Sequence, residues 1–366
     1  MPLQIGIVGL PNVGKSTLFN VLTQAQNAEV ANYPFCTIEP NQALVPVPDK
    51  RLDKLADLVG VKNSIKTTIE FLDIAGLVQG ASQGEGLGNQ FLGTIRNTDA
   101  LLHVVRCFED PNVVHINEHP DPGQDIEIVQ IELILSDLEQ ITKKIEKLSR
   151  QIKGDKKLSS SLEMAELVQK HLQSGSPLSV FPDKNDPIYT VLDRELRFLS
   201  AKPVIYAANI AEENLDSKHP ALNKIREIAS REGAEVIQIS ALIESELNLL
   251  NETEKSEYME ISGIQISGLE QVIHTGYRTL NLISFFTYND QEARAWTVPK
   301  GARAPEAAGQ IHTDFQKGFI KAEVIPFSVF VEFGSTAAAK EVGKLQIEGK
   351  DYIVQDGDVI FFRFNV

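Results

Sequence analysis

The chain has 366 residues, 42% of them hydrophobic, and a formal net charge of −15 at pH 7. This length accommodates two or three domains, each with its own core. The acidic balance argues against a protein coated in positive charge for indiscriminate nucleic-acid binding, although it leaves room for local basic patches. No stretch reaches the roughly 18 consecutive apolar residues of a membrane span, and no signal segment precedes the first strand pattern. We therefore expect a cytoplasmic protein that does not bind membranes.

The first strand pattern leads into a phosphate-binding motif. Residues 9–16 read Gly-Leu-Pro-Asn-Val-Gly-Lys-Ser, between an apolar run at 5–8 and a helical pattern at 17–22. In such a G-x-x-x-x-G-K-S loop, backbone N–H groups surround the phosphates, Lys15 reaches the β and γ oxygens, and the Ser16 hydroxyl binds Mg²⁺. The motif in this context predicts nucleoside-triphosphate binding; an ordinary glycine-rich turn is the alternative.

Two later segments have features of a site for the metal and the γ-phosphate. Thr37, in the segment 32–37, is the natural candidate for a switch hydroxyl that completes the Mg²⁺ shell, unless it is a plain surface threonine. The strand pattern at 68–72 ends in a D-x-x-G motif. In that motif Asp73 is expected to hold Mg²⁺, and the amide of Gly76 is expected to meet the γ-phosphate.

The motif does not supply a group that orients the attacking water. Leu77 occupies the position where many GTPases carry a glutamine, and leucine cannot do this. Either hydrolysis is slow or another polar group reaches in, for which His115 is the nearby candidate. A lone histidine is otherwise a surface or packed residue. The expected catalytic residues are therefore His115, Lys15 and Gly76.

The pattern of apolar residues predicts an interrupted α/β domain. The first 120 residues alternate strands with helical patterns, as in βαβ units on a parallel sheet. From Asp125 apolar residues recur at spacings of three and four, which predicts one arm of a coiled-coil hairpin, with the return arm after a polar turn at 153–161. The predicted seam of the first arm is Ile128, Ile131, Leu135, Leu138, Ile145, Leu148 and Ile152.

Strand patterns return at 203–209 and 236–241, and short β-rich runs follow from residue 283. The expected fold class is thus α/β: a P-loop G domain with a parallel-rich sheet, a helical coiled-coil insertion, and a small α+β domain. The expected boundaries are 1–124 and 200–282 for the two parts of the G domain, 125–199 for the insertion and 283–366 for the last domain.

The end of the strand at 203–209 bears on the choice of base. GTPases carry N-K-x-D there, and its aspartate accepts two hydrogen bonds from guanine; this chain has Asn209-Ile210-Ala211-Glu212. Because charge-assisted hydrogen bonds contribute about 1.5–3 kcal/mol each, a displaced carboxylate removes much of the selectivity for guanine. We expect Ile210 to pack on either purine, which makes ATP as good a candidate as GTP. Ser240 and Ala241, at the next strand end, match the second base-contacting loop.

These motifs, with the glycine-rich run 84–92, together resemble the YchF family of Obg-like ATPases, in the translation-factor-related GTPase class, over the whole chain. Residues 304–320 and 356–360 resemble its ubiquitin-like TGS domain. The resemblance implies a preference for ATP, Mg²⁺ on Ser16 and Thr37, and hydrolysis assisted by His115. Asn12 resembles a loop asparagine that helps to bind K⁺ in related GTPases. The nucleotide contacts that the resemblance implies are Asn12, Val13, Gly14, Lys15, Ser16, Thr17, Asn209, Ile210 and Glu212.

The family is associated with ribosomes, and the charge layout offers a reason. The long helix begins acidic and turns basic, so that its far end could touch RNA phosphates; alternatively, these charges only complement the helix dipole. Lys300, Arg303, Lys317 and Lys321 are a second candidate RNA contact, in the TGS domain. We expect a monomeric, ribosome-associated ATPase. The alternatives are a GTP-hydrolysing switch protein and a non-catalytic, nucleotide-regulated RNA- or ribosome-binding module.

Overall fold

The computed structural model describes residues 3–29, 41–74, 87–110, 113, 120–152, 155–212 and 220–365. These residues form two compact units. The first unit draws its described residues from 1–27, 37–44 and 70–276, and the second from 28–36, 45–69 and 277–366.

The strands are β1 (Gln4–Val8), β2 (Gln42–Pro46), β3 (Asn63–Ile65), β4 (Thr68–Asp73), β5 (Ala100–Arg106), β6 (Val204–Asn209), β7 (Glu235–Ile239), β8 (Leu282–Tyr288), β9 (Glu292–Pro299), β10 (Phe319–Pro326), β11 (Gln346–Glu348) and β12 (Asp358–Phe364). The helices are α1 (Lys15–Glu29), α2 (Lys50–Val59), α3 (Leu87–Asn97), α4 (Pro122–Gln151), α5 (Ser159–Gln173), α6 (Pro187–Leu196), α7 (Pro220–Glu232), α8 (Ala241–Leu247), α9 (Glu252–Ile261), α10 (Gly268–Thr279), α11 (Ala304–Ile311), α12 (Thr313–Lys317), α13 (Phe327–Phe333) and α14 (Thr336–Glu341). Among the described residues, no helix combines the length and the apolar character that crossing a membrane requires.

The first unit is built on a sheet with the strand order β2-β4-β1-β5-β6-β7. Strand β1 pairs in parallel with β4 and β5, and parallel pairing continues through β6 to β7. Every residue of β5 is buried, as expected for a central parallel strand that is covered on both faces. The carboxyl ends of these parallel strands meet at one edge, so the segments after β1, β4, β6 and β7 lie together there. The predicted α/β fold is confirmed.

A helical insertion separates β5 from β6. Helix α4 begins after Asp121, whose carboxylate accepts hydrogen bonds from two backbone N–H groups of the first turn, and α5 packs against α4. This confirms the predicted pair of helical arms. Their shared core includes Ile134, Ile141, Leu148, Met164, Ala165, Val168 and Leu172.

The predicted seam of α4 is correct only in the second half of the helix. Leu148 is buried in the insertion core, whereas Ile131 and Leu135 are 52% and 37% exposed. A single seam was wrong because the helix has two sets of partners: its second half faces α5, while α4 also packs against β5 and α7. The buried apolar residues of its first half include Ile126, Val129 and Leu133.

The second unit is built on a mixed sheet with the order β11-β10-β12-β8-β9-β3. The central strands β8 and β12 pair in parallel, and each has an antiparallel partner on its other side, β9 and β10 respectively. Helix α11 packs against β9 and β10. The arrangement agrees with the predicted small α+β domain, and the order of its carboxyl-terminal strands is that of a ubiquitin-like β-grasp fold.

Two elements of the second unit come from the chain between β2 and β4. Strand β3 pairs in parallel with β9, and α2 buries Leu52 and Leu55 in a cluster with Phe286. The expected boundaries assign residues 45–69 to the G domain, so the structure differs from the sequence interpretation here. The cause is physical: β3 has three residues, too few for an alternating pattern that would indicate which sheet it joins.

Candidate nucleotide-binding site

The segment between β1 and α1 has the backbone of a phosphate-binding loop. Gly9, Asn12 and Gly14 have φ angles of 147°, 62° and 101°, where glycine is favoured. A Cβ atom on Gly14 would overlap the side-chain amide of Asn209, so both conformation and space require glycine at this position. Helix α1 begins directly afterwards, and its positive end therefore faces the loop.

Lys15 is folded into the loop. The residue is 7% exposed, and its Nζ donates to the carbonyl oxygen of Leu10 at 2.6 Å. Burial lowers the pKa of Lys15 to about 8, while the negative charge of Asp73 acts in the opposite direction. The amine can exchange this carbonyl partner for phosphate oxygens, and a bound anion would raise its pKa again.

Ser16 and Asp73 bring a hydroxyl and a carboxylate to the same edge of the sheet. Ser16 and its neighbour Thr17 are exposed in the first turn of α1. Asp73 ends β4 beside β1, in register with Ile7; burial raises the pKa of this carboxyl, and the charge of Lys15 lowers it. Both oxygen ligands suit Mg²⁺, which binds few protein groups and fills its other positions with phosphate oxygens and water.

Ser16 and Asp73 suit a metal ion that is also coordinated by phosphate oxygens and water. Across the described ranges, no group of three or more His, Cys, Asp or Glu side chains could hold a metal ion by itself. Thr37, Gly76 and His115, predicted respectively for the metal shell, the γ-phosphate and the attacking water, lie outside the described residues, and their roles stay predictions.

Asn209 joins the phosphate loop to the second base loop. It is 4% exposed at the end of β6. Its Nδ2 donates to the carbonyl oxygen of Val13 at 2.9 Å, and its Oδ1 accepts from the backbone N–H of Ala241 at 3.0 Å. One side-chain amide therefore fixes the segments that follow β1, β6 and β7 relative to one another.

Glu212 has a partner that the sequence did not indicate. Its exposed carboxylate accepts a hydrogen bond from the hydroxyl of Tyr258, on α9, at 3.1 Å. The two residues are 46 positions apart in the chain, and no motif connects them. Tyr258 therefore contacts the carboxylate that stands, in the sequence, in place of the aspartate of N-K-x-D.

Ile210 is buried, whereas Leu242 is exposed. The Ile210 side chain is 1% exposed and packs in the core with Leu222, which corrects the predicted packing of this side chain on a purine. Ser240 and Ala241 are each 4% exposed, while Leu242, next in the chain, is 61% exposed. Next to the second base loop, Leu242 therefore presents an exposed apolar side chain, whereas Ile210 does not.

Comparison with known proteins agrees with this geometry. Residues 4–157 match a family model described as a 50S ribosome-binding GTPase. Residues 282–365 match the carboxyl-terminal YchF-GTPase model, described as a protein of unknown function. The fold and the phosphate loop define a P-loop NTPase of the GTPase class.

Full-length relatives identify the family. The chain is 50% identical over 367 residues to the ribosome-binding ATPase YchF of Pasteurella multocida and 49% identical over 369 residues to that of Bacillus subtilis, with 100% of each chain covered. The solved structure of the Schizosaccharomyces pombe YchF GTPase is similar with a TM-score of 0.87 and 36% identity, covering 99% of this chain and 97% of that one. The chain belongs to the YchF family.

Proposed function

We propose that this protein binds ATP in preference to GTP, hydrolyses it slowly to ADP and phosphate, and couples the nucleotide state to ribosome binding. The observation that carries the proposal is the base loop, where Asn209 keeps its structural role while Glu212 replaces the aspartate of N-K-x-D. The relatives named ribosome-binding ATPases support both the nucleotide and the partner.

Base selection follows from the position of one carboxylate. Guanine selectivity in GTPases needs an aspartate that accepts two hydrogen bonds, and glutamate is longer by one methylene. The Glu212 carboxylate also accepts from Tyr258, so part of its accepting capacity is already in use. Leu242 supplies apolar contact for either purine. The site has lost the main determinant of guanine preference, and adenine is accepted.

The triphosphate end uses the residues of the phosphate loop. Backbone N–H groups from Asn12 to Thr17 bind the phosphates, and Lys15 neutralises their charge. Ser16 and Asp73 would hold Mg²⁺, with Thr37 as a third ligand, and the metal would screen the charge that develops during phosphoryl transfer. Asn12 is our candidate ligand for K⁺; equal turnover in Na⁺ and K⁺ would exclude it.

Hydrolysis is slow because Leu77 has no group that orients water. We assign that role to His115 and the sensing of the γ-phosphate to the amide of Gly76. Replacement of His115 by alanine is expected to reduce turnover with little change in ATP affinity, since a water-orienting group acts only in the chemical step.

The tip of the helical insertion is our candidate ribosome contact. Several basic residues of α4 are ion-paired: Lys143 with Glu139, and Lys144 with Glu195. Lys156 and Lys157, between α4 and α5, are exposed and are better placed to bind RNA phosphates. In the TGS domain Arg303 and Lys321 are paired with carboxylates, which leaves Lys300 and Lys317 as the candidates there.

A single substitution tests the base assignment. Glu212→Asp moves the carboxylate toward the GTPase position and should shift the ratio of affinities for non-hydrolysable ATP and GTP analogues toward GTP by about tenfold. Glu257→Asp, at an exposed position of α9, makes the same change elsewhere and should leave the ratio unaltered. An unchanged ratio in Glu212→Asp would show that Glu212 does not select the base.

A further inference from the structure

The first unit contains a cleft at the edge of the sheet opposite the phosphate loop. Its volume is ≈ 730 Å³. Its lining comes from residues just before β1, β5 and β6 and from the end of α6 in the helical insertion. The five residues of β1 span about 16 Å, so this cleft is separate from the nucleotide site. Its lining contains more cations than carboxylates.

Four basic residues line the cleft: Arg96, Arg194, Arg197 and Lys202. Arg96 donates to the carbonyl oxygens of Leu196 at 2.9 Å and Arg197 at 3.2 Å. Lys202 donates to the carbonyl oxygens of Arg96 and Thr98, and Arg197 donates to the side-chain oxygen of Asn97 at 3.2 Å. Each of these partners is an uncharged oxygen.

Carboxylates compensate the positive charges only in part: Asp99 and Asp193 attract Lys202, and Asp137 attracts Arg96. Within the described part of the chain, none of the four cations forms an ion pair with a carboxylate, and Arg194 is exposed without a hydrogen-bond partner. The two carboxylates in the lining, Asp99 and Asp193, accept from the backbone N–H groups of Gln4 and Phe198. The cleft therefore has an excess of two positive charges in a chain with a net charge of −15.

The cations also act on one another. Burial lowers the pKa of Lys202 most strongly, and the charges of Arg197 and Arg96 lower it further, against the attraction of Asp99 and Asp193. Arg197 ends α6 with φ 49° and ψ 63°, a left-handed conformation in which glycine or asparagine is usual. This backbone projects an arginine at the cleft at a cost in strain.

We infer that this cleft is a second anion site, which binds a phosphate-bearing small molecule between the parallel sheet and the helical insertion. A multiply charged anion would contact Arg194 and Arg197 at the mouth and reduce the repulsion that Lys202 experiences. It would join the insertion to the sheet, because Arg194 and Arg197 lie at the end of α6, while Arg96 and Lys202 lie just before β5 and β6.

The shape favours a small molecule over an RNA strand. The volume lies within the range of about 300–1,000 Å³ that is typical of small-molecule pockets. RNA recognition commonly adds aromatic side chains on which bases stack. The one aromatic residue of the lining, Phe198, is 1% exposed and cannot stack on a base.

Inorganic tripolyphosphate is a suitable probe, because it carries several charges and no base. Full-length protein saturated with Mg·ADP, which fills the phosphate loop, would be titrated with tripolyphosphate by calorimetry. We expect one site in the wild type. The double variant Arg194→Ala/Arg197→Gly should bind at least about tenfold more weakly. Glycine suits the backbone at position 197, so this variant should fold. The single variant Arg194→Ala changes only an exposed side chain and provides a second test.

The control variant removes the same number of positive charges, but at positions outside the cleft. Arg150→Ala/Lys170→Ala removes two exposed cations from the same insertion outside the cleft and should bind tripolyphosphate like the wild type. Three results would overturn the inference: no binding in the ADP-saturated wild type, equal losses in both double variants, or cleft-dependent binding of a single-stranded RNA without binding of tripolyphosphate.

Discussion

Lys15 links nucleotide affinity to pH. Burial lowers the pKa of this residue to about 8 in the nucleotide-free protein, whereas phosphate oxygens favour the charged amine. At a pH above this value, binding must take up a proton. We expect the association constant for a non-hydrolysable ATP analogue to change little below about pH 7.5 and to fall about tenfold per pH unit above about pH 8.5. Calorimetry in buffers of different ionisation enthalpy measures the proton directly; affinity that stays flat into the alkaline range would mean an ordinary lysine pKa.

Gly14 lies at a position of the phosphate loop that has no room for a side chain. An alanine there would be strained at φ 101° and would displace Asn209. We expect Gly14→Ala to reduce nucleotide affinity at least about tenfold. Gly93→Ala is the matched control, because a Cβ atom at this position of α3 meets no atom within 4 Å, and it should bind nucleotide normally. Equal affinity in the two variants would contradict the assigned geometry.

At the scale of elements, one carboxylate anchors the helical insertion. Asp137 of α4 is 0% exposed. It accepts from the backbone N–H groups of Leu199 and Ser200 and from the Ser200 hydroxyl, at 2.9, 2.8 and 2.7 Å. Burial raises its pKa to about 6, and these hydrogen bonds act in the opposite direction. The contact joins the middle of α4 to the segment that leads back into β6.

Asp137→Asn should weaken this anchor. In asparagine an NH2 group replaces one of the two carboxylate oxygens. This group cannot accept a hydrogen bond, so at least one of the three donors loses its partner, which should cost about 1–3 kcal/mol of unfolding free energy. Asp183→Asn, at an exposed position of the same insertion, should change the unfolding free energy by less than about 0.5 kcal/mol. Denaturant unfolding followed by circular dichroism compares the two. Equal stability of both variants would argue against the anchor.

The elements also show what the sequence could and could not predict. The phosphate loop was predictable because its residues are contiguous and its backbone is determined by glycines. The second half of α4 was predictable because it packs mainly against one helix, α5. The first half was not, because periodicity does not report a change of partner. Tyr258 was missed because its contact with Glu212 depends on how α9 packs. Ile210 was misassigned because its buried side chain and the exposed Leu242 are both apolar in the sequence.

At the scale of the molecule, the assignment of residues 45–69 to the second unit has a measurable consequence. Leu55 is 0% exposed in a cluster with Phe286 and Ala293, so Leu55→Ala should lower the free energy of unfolding by about 2–5 kcal/mol. We expect hydrogen exchange of the variant to rise in β8 and β9. Leu172→Ala, which removes the same group from the insertion core, should raise exchange in α4 and α5 instead. Faster exchange confined to β5 and β6 in Leu55→Ala would contradict the assignment.

The central claim is that a P-loop NTPase with the base loop Asn209-Ile210-Ala211-Glu212 prefers adenine. The most direct measurement is calorimetric titration of the nucleotide-free wild-type protein with non-hydrolysable ATP and GTP analogues, each with Mg²⁺. We expect tighter binding of the ATP analogue. A clear preference for the GTP analogue would contradict it, and would mean that Glu212 reads guanine and that the protein is a switch GTPase.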